Sequence, residues 1–151
     1  MTTALLITTT GEARPVQLPQ EGSHLVLNEL CGGWLDCVRN DEMKVVGYVH
    51  DEGLLIGLDP NVVASALFGR PLVGNCVIVG AVNERGFYDG ENHDIPEQFL
   101  TDGFREYAER IASDESLVEL VKSVIQEMDF TPTVVSMSDE QFSKWLDGEE
   151  A

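Results

Sequence analysis

A chain of 151 residues with 43% apolar composition is long enough to bury a core of its own, too short for two large ones, and well outside the polar range where chains stay unfolded. Its 27 Asp and Glu against 9 Lys and Arg give a net charge of −18, which opposes binding to DNA or to anionic membranes unless a basic patch is hidden in the fold. No apolar run is long enough to span a bilayer, and the start lacks a basic region followed by an apolar segment, so the chain reads as soluble and cytoplasmic.

The first half has the periodicity of strands. "TALLITT", the turn signal "TTGEA" and "ARPVQL", where Val16 and Leu18 alternate with polar neighbours, predict a hairpin. "SHLVLNELCGG" predicts a short helix with Ser23 as N-cap, Leu25, Leu27 and Leu30 as apolar members, and Gly32-Gly33 as its left-handed end. "WLDCVRNDEMKVVGYVHDEG" predicts two strands around the turn "RNDE", with Val46, Tyr48 and His50 on one face of the second and Val45 and Val49 on the other. In "GLDPNVVASALFGRP", Asp59 or Asn61 caps a helix near Pro60, and Gly69 with Pro71 stops it. "LVGNCVIVG" is nearly continuous and β-branched, the pattern of a strand covered on both sides or at the centre of a sheet.

After the loop "NERGFYDGENHD" the period changes to that of helices. Pro96 opens "PEQFLTDGFREYAERIAS", where Phe99, Phe104, Tyr107, Ala108 and Ile111 form a stripe interrupted by Gly103. "DESLVELVKSVIQEMDF" repeats it with Leu117, Leu120, Val121, Val124 and Met128, and Ser138 with Gln141 signals a last helical turn set carrying Phe142, Trp145 and Leu146. The expected fold is α+β: a small antiparallel or mixed sheet from the first 80 residues with short packing helices, then two acidic amphipathic helices, all in one domain over residues 1–151.

The order of short motifs in residues 1–80 carries a resemblance. "ALLIT", "VLNELCGGWLDCVR", "GYVHDEGLLIGLDPN", "ASALFG" and "LVGNCVIVG" follow one another as do the parts of a family found in bacteriophages, plasmids and actinobacteria and described only as a domain of unknown function. The resemblance implies a small α+β domain from a mobile-element accessory gene, with no established chemistry to carry over. The acidic second half lies outside the part it covers.

No residue pattern points to catalysis. His50-Asp51-Glu52 and His93-Asp94 after Glu91 set imidazole beside carboxylate, but neither has metal-motif spacing, so both read as a polar turn and loop; no metal and no cofactor are expected. Cys31, Cys37 and Cys76 form no CxxC pair and are expected to be reduced, with Cys76 a buried hydrophobe. Ser65 is not in a GxSxG context, and the glycines around "GRPLVGNCVIVG" run from loop into strand, where a phosphate cradle runs from strand into helix.

Charge then directs the functional reading. Residues 1–80 hold nine acids and four bases, and residues 81–151 hold eighteen acids and five bases. On the two predicted helices Asp102, Glu106, Glu109, Asp114, Glu115 and Glu119 form an acidic surface, and carboxylates one helical turn apart repeat about every 5 Å, comparable to phosphates along a nucleic acid. The expectation is a non-enzymatic phage-type protein that binds a basic host-protein surface through these helices and inhibits it, with DNA mimicry as the mode. The alternative is a small-ligand module that sequesters a nucleotide-like signal through Tyr48, Asn61, Arg70 and Asn75. Solvation of the surface and adaptation to high salt are the competing explanations of the charge.

Overall fold

The structure, a computed structural model, describes residues 1–127. Met128 and the segment carrying Ser138, Gln141, Phe142, Trp145 and Leu146 lie outside the described residues. The elements run β1 (Thr2–Ile7), β2 (Ala13–Leu18), α1 (Ser23–Cys31), β3 (Leu35–Asn40), β4 (Val45–His50), α2 (Val62–Phe68), β5 (Cys76–Val82), β6 (Tyr88–His93), a 3₁₀ turn (Glu97–Leu100), α3 (Asp102–Ala112) and α4 (Glu115–Glu127). The arrangement is α+β, and every pairing between these strands is antiparallel.

β5 is the centre of the sheet, whose order is β2-β1-β5-β4-β3. β4 runs along one side of it, from Val45 opposite Gly80 to Tyr48 opposite Val77. The other side is shared by two strands in series: β1 faces the first part, with Ile7 opposite Cys76, and β6 faces the rest, with His93 opposite Gly80 and Tyr88 opposite Val82. The seam between them is closed by Ile95, whose amide donates to the Thr3 carbonyl at 2.8 Å, and by the Thr3 amide, which donates to the Asp94 carboxylate at 2.8 Å. At Gly80 a Cβ would strike the Asp94 carbonyl, so only glycine lets the chain after β6 lie this close to β5.

Both faces of β5 are covered, which is why its sequence is apolar in both directions. Cys76 and Ile78 point into a cluster with Leu5, Ile7, Val45 and Val63, closed by α2, the 3₁₀ turn through Phe99, and α3 through Ala108. Val77 and Val79 point the other way, into Ala4, Leu6 and Leu18, where α1 adds Leu27 and Cys31. Each large aliphatic side chain buried in this way contributes roughly 2 kcal/mol before the entropy of ordering it is subtracted.

Asn61 joins three of these parts. It is fully buried, and its Oδ1 accepts from the Ala64 amide at 3.0 Å, capping α2. Its Nδ2 donates to the carbonyls of Ile7 at 3.0 Å and Gly74 at 2.9 Å, tying the end of β1 and the entry to β5 to the helix. Asp59 is therefore not the cap, and Pro60 stands before the helix in an isolated bridge to Val73. Ser65 extends the network, with Oγ donating to the Asn61 carbonyl at 2.7 Å and accepting from the Leu72 amide at 2.9 Å.

Three local expectations are corrected. Gly22 occupies the N-cap of α1 at φ 74 with no side-chain cap bond, and Ser23 is the first helical residue, because the chain leaves β2 through a left-handed turn. The "NERGFYDGENHD" loop is a β5–β6 hairpin; its second strand is largely exposed, so no apolar alternation marks it. The helix expected from Pro96 is divided: after the 3₁₀ turn, extended Thr101 stops one segment and caps the next by accepting from the Phe104 amide at 3.1 Å.

Two outcomes follow from this packing. Asn61→Ala strips three hydrogen bonds from groups without access to water and should cost about 3 kcal/mol in urea denaturation; a loss under about 0.5 kcal/mol would contradict the anchoring role. Cys31 and Cys76 are buried and Cys37 is exposed. Burial pushes the Cys31 thiol up to about 11, against a partly offsetting backbone hydrogen bond at Val77, and burial together with neighbouring Cys31 pushes Cys76 up as well. A raised pKa keeps a thiol protonated and unreactive at mildly alkaline pH, so a thiol reagent should label Cys37 alone in the native protein, and all three cysteines after denaturation. Rapid native labelling of a Cys37→Ser variant would show that the sheet faces open.

Candidate functional site

The six acids expected on the helices are all exposed in the structure. Phe104, Ile111 and Ala112 turn toward the core with buried Ala108, which leaves Asp102, Glu106 and Glu109 on the outward side of α3. Arg105 shares that side and pairs with Asp102 at 3.2 Å, and on α4 Lys122 pairs with Glu119 at 3.7 Å. Both pairs are exposed and add little stability, but they interrupt the run of carboxylates. Asp114 is occupied as well. Its carboxylate accepts from the Ser116 hydroxyl at 2.6 Å and the Ser116 amide at 3.0 Å, the bonds of an N-cap for α4, and they hold its carboxyl below the usual range. Glu115 lies in the first turn, where the helix dipole favours a negative charge. Glu106 and Glu109 are thus the acids with no local task of this kind.

The acidity of the second half is also spread along the chain. Residues 81–101 carry five acids and one base, residues 102–127 seven acids and three bases, and residues 128–151 six acids and one base. The helices hold a share of the charge, not a concentration of it. The later acids Asp139, Glu140, Asp147, Glu149 and Glu150 lie outside the described residues.

The alternative ligand set does not converge. Asn61 is buried and its side chain is used within the core, so it is at no exposed turn. Tyr48 is half-buried on the α1 side of the sheet, where its hydroxyl donates to the Asn92 Oδ1 at 2.7 Å. Burial is the main cause that raises its phenol pKa. Asn75 donates to the Leu30 carbonyl of α1 at 3.2 Å. Arg70 is on the opposite side of the sheet, at an apolar groove of about 320 Å³ between α2 and α4 lined by Val62, Ala66, Leu117, Leu120 and Val124. Among the described residues that groove offers an anionic ligand one guanidinium and mostly apolar walls, the Ser65 hydroxyl being engaged with Asn61 and Leu72.

The histidines divide. His50 is packed under Gly33, and its Nδ1 accepts from the Glu52 amide at 3.0 Å, an ordinary strand-to-turn contact. His93 is different. Its Nε2 lies 2.7 Å from the Asp89 Oδ1, and one donor atom each from Asp89, Glu91 and His93 come within 4.8 Å of one another. In a straight strand, residues four apart are separated by about 13 Å, so this contact needs the chain to fold back on itself. Gly90, at φ 79, supplies the bend, and Asp89 fixes it by accepting from the Glu91 amide at 3.1 Å. The hydrogen bond to His93, then that to Glu91, hold the Asp89 carboxyl below its usual range.

This strand is held at both ends. Near its start, Arg39 lies 4.6 Å from the Tyr88 ring centroid and 3.0 Å from Asp41, to which the Tyr88 hydroxyl donates at 3.3 Å. Near its end, Asn92 accepts from Tyr48. Asp89 is the member of the group that adjacency in the sequence does not reveal, since only Glu91 and Asp94 stand close to His93 along the chain. The signal was the glycine in "DGENH", which brings together residues that strand spacing keeps apart.

No curated protein and no solved structure matches the chain to a significant degree. The motif order recognised in the sequence stopped at residue 80, before the acidic half; the family match goes further, to the last residue of α3, and leaves α4 outside. Residues 1–112 match the family model described as Domain of unknown function (DUF3846), well over half of the sequence, and the chain belongs to that family.

Proposed function

We propose that the chain is a non-enzymatic accessory protein of the phage or mobile-element type that sets its acidic α3–α4 surface against a basic surface of a host protein in the host cytoplasm and inhibits it as a mimic of DNA. The observation that carries this reading is the exposure of all six carboxylates, from Asp102 to Glu119, on α3, whose other side closes the core, and on α4, whose apolar side lines the groove against α2. A nucleic-acid-binding protein is the partner class that such charge selects, because its groove is built for a row of anions. The total charge of −18 would speed the encounter at low salt and make binding fall as salt rises. No helix among the described residues is long and apolar enough to cross a membrane.

The test is retention of lysate proteins on the immobilised full chain at low and at high salt. The expected result is a nucleic-acid-binding protein that is released by salt and whose retention falls roughly tenfold or more in Glu106→Gln/Glu109→Gln/Glu119→Gln, substitutions that leave the Asp114 cap in place. Equal retention by this variant, or retention insensitive to salt, would contradict the reading.

A further inference from the structure

We propose that Asp89, Glu91 and His93 on β6 form a binding site for a divalent first-row transition-metal ion. The site is on the sheet and independent of the helical surface, so the two readings stand or fall separately. Its basis is a mixed donor set, two carboxylates and one imidazole, brought within 4.8 Å by the bend at Gly90. The imidazole matters, because carboxylates alone would suit Mg²⁺, Ca²⁺ or Mn²⁺, whereas a nitrogen donor among oxygens favours ions of the zinc, cobalt and nickel type.

The geometry is near what such an ion requires. Metal–ligand distances of about 2.1 Å place neighbouring ligands roughly 3 Å apart, and the Asp89 Oδ1 and His93 Nε2 are already at 2.7 Å. An ion between these two atoms would replace the proton they share, and Glu91 would complete the set by turning inward. All three side chains keep contact with solvent, so this adjustment meets no packed core. The backbone beneath them is fixed by Tyr88 on Arg39 and Asp41 and by Asn92 on Tyr48, which limits the ordering left for the ion to impose. Beside His93 lies an open hollow of about 370 Å³ bordered by Asn83, Glu84 and Arg85, with room for waters to fill the remaining coordination positions. Three protein ligands and open positions point to micromolar, exchangeable binding, unlike the closed four-ligand sites that hold a fold together.

The experiment uses the full chain without an affinity tag, freed of metal by a chelator, and titrates Zn²⁺ and Ni²⁺ by calorimetry and Co²⁺ by absorbance. One saturable site per chain is expected, with affinity lowered roughly tenfold or more in His93→Ala and Asp89→Asn at unchanged circular dichroism. In the wild-type protein Zn²⁺ should shift the ring signals of His93 and leave those of His24 and His50 in place, a readout that does not depend on any variant folding. Absence of saturable binding, equal affinity in His93→Ala, unmoved His93 signals, or displacement of Zn²⁺ by equimolar Mg²⁺ would overturn the proposal, the last by showing an all-oxygen acidic surface.

Discussion

Everything in this fold is arranged around the need of β5 for partners on four sides. A strand buried on both faces and paired on both edges must find a receptor for every peptide group and every side chain, and the chain meets that need from distant parts of the sequence. β4 fills one edge, β1 and β6 divide the other, α1 covers one face, and α2 with α3 covers the other. The division of one edge between two strands leaves a seam, and the seam brings the end of β6 against the start of β1 through Asp94, Thr3 and Ile95. Asn61 performs the corresponding task inside the core, where one amide side chain satisfies the ends of β1, α2 and the segment entering β5.

This dependence explains which parts of the fold were legible in the sequence. β5 and β1 could be read from "CVIVG" and "ALLI" because two-sided burial forces an uninterrupted apolar run, and β2 could be read because its inward Val16 and Leu18 alternate with exposed Pro15 and Gln17. β6 could not, since its exposed side chains impose no pattern and its pairing is a property of β5. The Ser23 cap failed for a similar reason. A Ser before an apolar helix is a sound N-cap signal, but the path out of β2 required a positive φ one residue earlier, and only the preceding Gly22 meets it at low cost. For the candidate sites, the exposure of the acids on α3 and α4 followed from helical period, whereas the fate of Asn61 did not. An Asn beside a Pro looks like a surface turn until the carbonyls that it must satisfy are known.

The acidic surface and the sheet have different claims on function. Charge on the outer side of an amphipathic helix is what solubility alone would produce, and here Arg105 and Lys122 break the row while Asp114 serves its own helix. The family boundary divides the surface: the match ends with α3, so the positions of Asp102, Glu106 and Glu109 fall inside it, while Asp114, Glu115 and Glu119 fall outside. Glu106 and Glu109, which form no ion pair among the described residues, are therefore the narrowest statement of the proposed interface. The β6 group differs in kind, since it depends on a backbone bend at Gly90 and sits between two anchoring contacts, Tyr88 on Arg39 and Asn92 on Tyr48.

The most direct test of the central claim, that the helical layer is a localised recognition surface and not one part of a uniformly solvated acidic shell, is backbone amide shift mapping during titration with an arginine-rich peptide at low salt. Shifts concentrated on α3 and α4 around Glu106 and Glu109, saturating together, are the expected result. Shifts of equal size scattered over the acids of residues 1–101, with no common saturation, would contradict it.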